Sequence, residues 1–204
     1  MDMDHFSPTP NNDTVDPTTA LQLIFGTVLE HIYGTGWGGA CHSSSAMLNI
    51  LLKELGVDSE IMIGEVFCDG YRFDHSWVVA MGQIFDAAVA LPQAGGIKLG
   101  GPVFAGFDIE THEPTRLQYG VGLPGGLGPD EQLIASQTIG EYFDYADQLN
   151  RDDADFNDQP APLALWDRVS LVGSVCGVFK TPAQLLESHS QTGRTVVSRE
   201  AFRF

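Results

Sequence analysis

Cys41 stands where a glycine-rich stretch gives way to a strongly patterned helix, in the sequence GWGGACHSSSAMLNILLKELG of residues 36–56. A free thiol has a pKa of about 8.5, and a position at a helix N-terminus lowers it. This happens because the first backbone N–H groups have no intrahelical partner and favour an anion. The same groups can hold the oxyanion of a tetrahedral intermediate, and the preceding glycines would let a substrate backbone approach closely. The pattern predicts that Cys41 is a nucleophile.

A thiolate nucleophile needs a neighbouring base, and His75 is the one of six histidines that falls on a predicted strand. Asp86, on the following strand, is placed to orient the imidazole. A two-residue turn at Gly82-Gln83 would put Asp86 opposite Val79 and out of reach of His75. A four-residue loop over 79–82 would instead put Asp86 opposite His75, with Cβ atoms about 5 Å apart. The sequence permits both registers.

Each of these residues also has a purely structural interpretation. Cys41 could be a small buried hydrophobe, which is common for a free cysteine. His75 could be a satisfied histidine of the core or a strand edge, and Asp86 a solvent-exposed aspartate near a turn. His42 is a second candidate base, but adjacent residues on a helix point apart. The order of glycine loop, cysteine, histidine and aspartate favours a catalytic site built on Cys41, His75 and Asp86.

Two helices precede the strands. Apolar residues over 21–32 recur at helical spacing, and a second helix begins at Cys41 with one apolar stripe. Asn49 and Lys53 are predicted to lie on the opposite, polar side of this second helix. Lys53 in the last turn and Gly56 just beyond it mark its end. Cys41 is therefore expected in the first turn, facing whatever the helix packs against.

Strands follow at 60–67, 72–81 and 84–88, with a turn at Cys68-Asp69-Gly70 between the first two. Helices followed by an antiparallel meander predict an α+β fold and not a parallel doubly wound one.

The domain organisation predicted from the sequence is simple. Residues 1–18 are polar and proline-containing, which is typical of a disordered lead-in, and 19–204 are expected to form a single domain. Its second half, 93–204, contains glycine-rich runs without a phosphate-loop pattern and has no assigned role. A helix is predicted from Pro129 to Phe143, and Thr181-Pro182 is expected to cap a short helix.

The charge of the chain limits the classes of partner. The 204 residues include 10 Lys and Arg against 27 Asp and Glu, a formal net charge of −17. Nucleic acids and anionic membranes need basic surface, so neither is an expected partner. The negative charge is most simply that of a solvated acidic surface, and it is also compatible with a basic peptide as substrate.

The three cysteines do not form a disulfide framework, since none lies in a C-x-x-C pair and no zinc-ligand spacing surrounds Cys41. Cys68 is expected in a turn and Cys176 in the core. The first ten residues have no basic segment followed by an apolar run, so no secretory signal is predicted. These features favour a reducing, cytoplasmic location, without a bound metal or cofactor.

The motifs around these residues resemble the transglutaminase-like superfamily. The chain has G-x-C, a leucine-rich helix ending in L-G-V, a strand containing I-G, the H-S-W-V of residues 75–78, and then Asp86. The resemblance covers about residues 36–90 and implies a papain-like fold with a Cys–His–Asp triad. It implies Cys41 as nucleophile, His75 as base and later acid, and Asp86 as the residue that orients the imidazole.

Within the superfamily, the short gap from His75 to Asp86 is most similar to the protease that cleaves leader peptides in lasso-peptide maturation. Arylamine N-acetyltransferases are similar but usually carry R-G-G-x-C, where this chain has Trp37-Gly-Gly-Ala before Cys41. The family's side-chain oxyanion donor has no obvious counterpart here.

The expected activity is that of a cysteine peptidase or amidase. Cys41 would attack a peptide or amide carbonyl, His75 would move the proton, and water would hydrolyse the thioester acyl-enzyme. An acyltransferase of transglutaminase or N-acetyltransferase type would use the same triad, with an amine in place of water. A non-catalytic peptide-binding member of the same fold is the alternative from another class. The sequence leaves the oligomeric state open.

Overall fold

The computed structural model describes residues 16–122 and 126–197, and the predicted α+β class is confirmed for this part of the chain. The helices are α1 (Pro17–Thr35), α2 (Cys41–Glu54), α3 (Pro129–Ser136), α4 (Ile139–Phe156), α5 (Leu165–Val175) and α6 (Pro182–His189). The strands are β1 (Ser59–Cys68), β2 (Tyr71–Ala80), β3 (Gln83–Phe85), β4 (Val103–Phe104), β5 (Phe107–Asp108), β6 (Glu113–Pro114), β7 (Gln118–Tyr119) and β8 (Thr195–Val197).

The first helix begins earlier than its apolar pattern indicates. Asp16 caps α1 by accepting a hydrogen bond from the Thr19 backbone N–H at 3.0 Å, and Pro17 occupies the first helical position. Proline is favoured there because its missing N–H would have no partner anyway. The lead-in predicted over 1–18 therefore overlaps α1 by two residues, and 1–15 lie outside the described ranges.

Helix α2 is buried on nearly every side, so the prediction that Asn49 lies on a polar side of the helix is wrong. Helices α1 and α5 contact α2 from one direction, and strands β1 and β2 contact it from another. Asn49 is 0% exposed. Its amide donates to the backbone oxygen and to the hydroxyl of Ser59, each at 2.8 Å. A buried amide is tolerated here because it ties the helix to the start of β1.

The main sheet has the order β3-β2-β1-β7, with β8 pairing in parallel beside β1. The predicted antiparallel meander of the first three strands is confirmed. The β2–β3 hairpin turns on two residues, Met81 and Gly82, whose φ angles are 51° and 72°. Left-handed angles at both central positions are typical of a type I′ turn, which matches the twist of the strands.

This hairpin pairs Ala80 with Gln83, so both predicted registers are wrong. Extending the observed pairing by one residue beyond β3 places Asp86 across from Trp77. The strand predicted over 84–88 ends at Phe85, because Asp86 exchanges backbone hydrogen bonds of 2.8 Å with Val103.

The second half of the chain adds to the same core. Strands β4, β5 and β6 form a small antiparallel sheet, while β7 and β8 lie beside β1. The main apolar cluster combines side chains from both halves, such as Leu51 of α2 and Val172 of α5. The helix predicted from Pro129 to Phe143 is interrupted, because Thr138 and Glu141 form a capping box that starts α4.

None of the helices described here is long and apolar enough to cross a membrane.

Replacing Asn49 by alanine should lower the free energy of unfolding by about 1–3 kcal/mol, because it leaves the buried Ser59 oxygen atoms without their donor. Urea denaturation followed by circular dichroism measures the change. Asn157→Ala is the control, since this exposed residue at the end of α4 should change the stability by less than about 0.5 kcal/mol. Equal effects of the two substitutions would contradict the assigned role of Asn49.

Candidate active site

Cys41 is the first residue of α2 and is half-buried. The preceding residue, Ala40, supplies no side-chain cap to the helix. The first-turn N–H groups therefore remain available to an anion at the start of the helix. The Ser45 hydroxyl donates to the Cys41 backbone oxygen at 2.6 Å, which ties the first turn to the second.

The glycines before Cys41 are required by a contact within the chain itself. A Cβ atom on Gly38 would lie 2.8 Å from the backbone oxygen of Pro92, and one on Gly39 would lie 2.9 Å from the Gln93 Cβ. The Gly39 N–H also donates to the Leu91 oxygen at 3.0 Å. The loop after β3 thus packs directly on the segment that leads into α2.

His75 and Asp86 form the central contact of the site. The His75 Nε2 atom lies 2.7 Å from the Asp86 Oδ2 atom, with the two residues 5% and 2% exposed. When the β2–β3 pairing is continued by one residue, Asp86 lies across from Trp77 and is therefore a diagonal neighbour of His75. Diagonal neighbours are about 7–8 Å apart, a separation that side chains can span. The bond to Nε2 leaves Nδ1 as the ring nitrogen for Cys41.

Asp86 is held by three further hydrogen bonds. Its Oδ1 atom accepts from the backbone N–H groups of Ala88 at 3.1 Å and Val89 at 3.2 Å. Its Oδ2 atom also accepts from the Tyr119 hydroxyl at 2.8 Å. A buried carboxylate needs such donors to replace its lost hydration. They fix its orientation and therefore that of the His75 ring.

The charges of this cluster favour an ionised thiol. Burial raises the pKa of Cys41, but His42 and His75 outweigh burial, and the pKa of the thiol lies well below its usual range. Burial lowers the pKa of His75, but Asp86 and Cys41 raise it to about 10. A thiolate beside an imidazolium is therefore the favoured state between the lowered pKa of Cys41 and the raised pKa of His75.

His42 lines the same cleft as Cys41 and lowers the pKa of its thiol, which corrects the expectation that the two side chains point apart. Side chains on a helix lean toward its N-terminus, and in the first turn no earlier turn separates them. The His42 Nδ1 atom lies 2.7 Å from the Ser76 hydroxyl of β2. Two imidazoles thus share a cleft with one sulfur, and both lower the pKa of its thiol.

The side chains of Cys41, His42 and His75 line an open cleft of about 570 Å³. The first half of β2 forms one wall and the loop after β3 the other, with α3 at one end. The lining includes Cys41, His42, the β2 residues 71–75, Leu91, Pro92, Gln93, Glu131 and Ile134. A cleft of this size and shape can hold several residues of an extended chain beside the sulfur.

A second cleft of about 620 Å³ lies next to the β2–β3 turn, between Ile84 and Tyr119. Cys41, His42 and His75 are not among its lining residues. Its lining includes Tyr119, whose hydroxyl donates a hydrogen bond to Asp86. The nucleophile therefore belongs to the first cleft.

The structure brings together all three predicted site residues, Cys41, His75 and Asp86, and adds others that sequence reasoning missed. Ser76 follows His75 directly on β2, so its side chain lies on the other face of the strand. This alternation could have been predicted from the sequence. Tyr119 lies on a two-residue strand in a glycine-rich segment, where no pattern marks it. In the described ranges, no group of three or more His, Cys, Asp or Glu residues could hold a metal ion.

No family model, curated protein or solved structure matches this chain.

Alkylation of Cys41 by iodoacetamide should stay fast at pH 7 and slow only as the pH falls through the lowered pKa of its thiol. Cys68 and Cys176 should react slowly, because both are buried and burial raises the pKa of each thiol. His75→Gln should move the Cys41 midpoint upward by about one pH unit or more. Peptide mapping by mass spectrometry across the pH range measures all three sites.

A Cys41 profile like that of an ordinary thiol, unchanged in His75→Gln, would contradict the thiolate–imidazolium pair. His112→Asn is the matched control, since this exposed histidine should leave the profile unaltered. Asparagine suits the position because His112 has a φ of 60°.

Proposed function

We propose that this protein is a cysteine peptidase or amidase that acts through a thioester acyl-enzyme. The single observation that supports it most is the arrangement around Cys41. A thiol with a lowered pKa stands at an uncapped helix start, next to a histidine that a buried aspartate orients, in an open cleft. A purely structural cysteine needs none of these features.

The chemistry follows from the positions of the groups. The Cys41 thiolate attacks the carbonyl carbon, a C–S bond forms, and the carbonyl electron pair moves to oxygen. The first-turn N–H groups of α2 stabilise that oxyanion. His75 then donates its proton to the leaving amine as the C–N bond breaks, which leaves a thioester. His75 next accepts a proton from water, and the attack of water releases the acid and the thiol.

Asp86 and Tyr119 serve this proton transfer without touching the substrate. Asp86 holds the His75 ring through Nε2, so that Nδ1 faces the sulfur and carries the mobile proton. The Tyr119 hydroxyl donates to the same Asp86 oxygen atom that His75 contacts, which limits rotation of the carboxylate. We assign both as positioning residues.

We further propose that the chain is a transglutaminase-like protein with a papain-like fold. The order of elements supports this assignment: a helix that begins with the nucleophile packs on an antiparallel sheet, whose second strand carries the histidine. The carboxylate then follows after one short hairpin, 11 residues beyond His75. Three unpaired cysteines fit a reducing, cytoplasmic location.

The walls of the cleft favour a peptide with a basic side chain. Asp74 and Glu131 both line it. Burial raises the pKa of Glu131, and the neighbouring Asp74 carboxylate raises it further. In the described part of the chain, neither carboxylate takes part in an ion pair. A cationic side chain of the substrate would relieve this repulsion.

The activity test is incubation of the protein with a mixed peptide library, with new termini identified by mass spectrometry. We expect cleavage by the unaltered protein, none by Cys41→Ala, and a loss of at least about 100-fold in His75→Gln, which lacks the base. The Cys68→Ala variant is the matched control and should cleave normally.

Hydroxylamine added to the same reaction distinguishes the fates of the acyl-enzyme. A peptidase should form acid alone without it and some hydroxamate with it, through Cys41 in both cases. Amide formed preferentially with added primary amines would instead indicate an acyltransferase. Cleavage that persists in Cys41→Ala would overturn the proposal, because Cys41 would then not be the nucleophile. No covalent turnover with any peptide would overturn it in favour of a binding protein.

Among cleaved peptides, those with Lys or Arg near the scissile bond should be preferred over the same peptides with Glu. Glu131→Gln should reduce this preference about fivefold, the value of one partly exposed ion pair. Glu187→Gln, an exposed change on α6, is the control and should leave the preference unaltered. Ratios of kcat/KM for matched peptide pairs measure it, and an unchanged ratio in Glu131→Gln would exclude this role.

A further inference from the structure

The proposed reaction assigns no step to His42, although this residue follows the nucleophile directly in the first turn of α2 and lines the same cleft. Its support differs from that of His75. A carboxylate lies behind the His75 ring, whereas a serine hydroxyl lies behind the ring of His42.

The Ser76 hydroxyl determines which nitrogen of His42 carries the proton. Ser76 is 1% exposed, and its oxygen lies 2.7 Å from His42 Nδ1. A buried hydroxyl must direct its proton to an acceptor. In the described ranges, His42 Nδ1 is the acceptor within hydrogen-bonding distance of this hydroxyl. Nδ1 therefore accepts from Ser76, and the ring proton lies on Nε2.

The plane of the His42 ring is held as well as its tautomer. The Tyr142 ring packs against it nearly edge-on, with centroids 6.1 Å apart and an interplanar angle of 72°. The Tyr142 hydroxyl lies 2.9 Å from the Ser43 hydroxyl, and the Arg194 guanidinium lies 4.4 Å from the centre of the Tyr142 ring. With Nδ1 on Ser76 and the Tyr142 ring packed beside it, Nε2 is the nitrogen of His42 that remains for the cleft.

We propose that His42 is a further catalytic residue, whose Nε2–H donates a hydrogen bond to the carbonyl oxygen of the substrate as that oxygen becomes an anion. The inference rests on the proposed function, since it concerns the acyl transfer to Cys41. The oxyanion forms on the carbon that bonds to the Cys41 sulfur, and the His42 ring lines the same cleft as that sulfur. His42 thereby supplies the side-chain donor that the sequence left without a counterpart, and Ser76 is its positioning residue.

Two small reagents separate this role from thiolate formation. With p-nitrophenyl acetate, the Cys41 sulfur bonds to the carbonyl carbon and the carbonyl pair moves to oxygen. The pair then returns, the C–O bond to the aryl group breaks, and p-nitrophenolate leaves. With iodoacetamide, the sulfur displaces iodide from a saturated carbon, and no oxyanion forms. Both rates depend on the thiolate fraction, so their ratio reports stabilisation of the oxyanion.

The experiment measures the ratio of Cys41 acetylation to Cys41 alkylation at one pH, by p-nitrophenolate release and by mass spectrometry. We expect His42→Leu to lower the ratio about 10- to 100-fold, up to the loss found when one oxyanion donor is removed. His42→Gln keeps an N–H donor and should retain part of the ratio. Ser76→Ala should lower it by less than His42→Leu, because the tautomer is released but the ring remains.

His112→Asn is the control and should leave the ratio unchanged. A ratio within twofold of the unaltered protein in both His42→Leu and Ser76→Ala, with Cys41 still rapidly alkylated, would overturn the role of His42 alone. If Cys41 of the unaltered protein reacts no faster than an ordinary thiol with either reagent, the proposed function fails as well. Far-UV circular dichroism checks folding, and Ser76→Ala with His42→Gln decides the question if His42→Leu does not fold.

Discussion

The buried hydrogen bond between His75 and Asp86 is the constraint on which the rest of the site depends. A carboxylate with 2% exposure is stable only where donors surround it. The structure supplies the imidazole from β2, two backbone N–H groups from the loop beyond β3, and a hydroxyl from β7. Sections of chain that are far apart in sequence therefore converge on one side chain, and the position of the imidazole is a product of that convergence.

Helix α2 contributes to the site through its N-terminal turn, which begins with Cys41. The body of the helix is packed between other helices and the sheet, which fixes where its first turn lies. The sulfur, the free N–H groups and the His42 ring then project from that fixed point into the cleft. Gly38 and Gly39 approach the loop around Pro92 closely, which holds this wall of the cleft against the segment before Cys41. The packing of the helix in the core thus determines the position of the nucleophile.

The sequence predicted the local elements well and their spatial relations less well. Periodicity located α2 and the first strands within a few residues, since amphipathic patterns reflect burial. It failed for Asn49, because a helix covered on nearly every side buries polar residues that the pattern assigns to an outer face. It also failed for Tyr119 and for the start of α4 at Thr138. Two-residue strands carry no period, and a capping box is a pattern of residue types at 138–141 that apolar periodicity does not contain.

The type I′ turn at Met81-Gly82 limits how this chain can vary in length. If the two-residue turn were kept, one residue added between Ala80 and Gln83 would place Asp86 across from Ser76, on the other face of the sheet. Two added residues would place Asp86 directly across from His75 and restore the face. A single added residue therefore separates the carboxylate from the imidazole unless a longer turn absorbs it, whereas length changes in the exposed segment 157–163 after α4 leave this register unchanged.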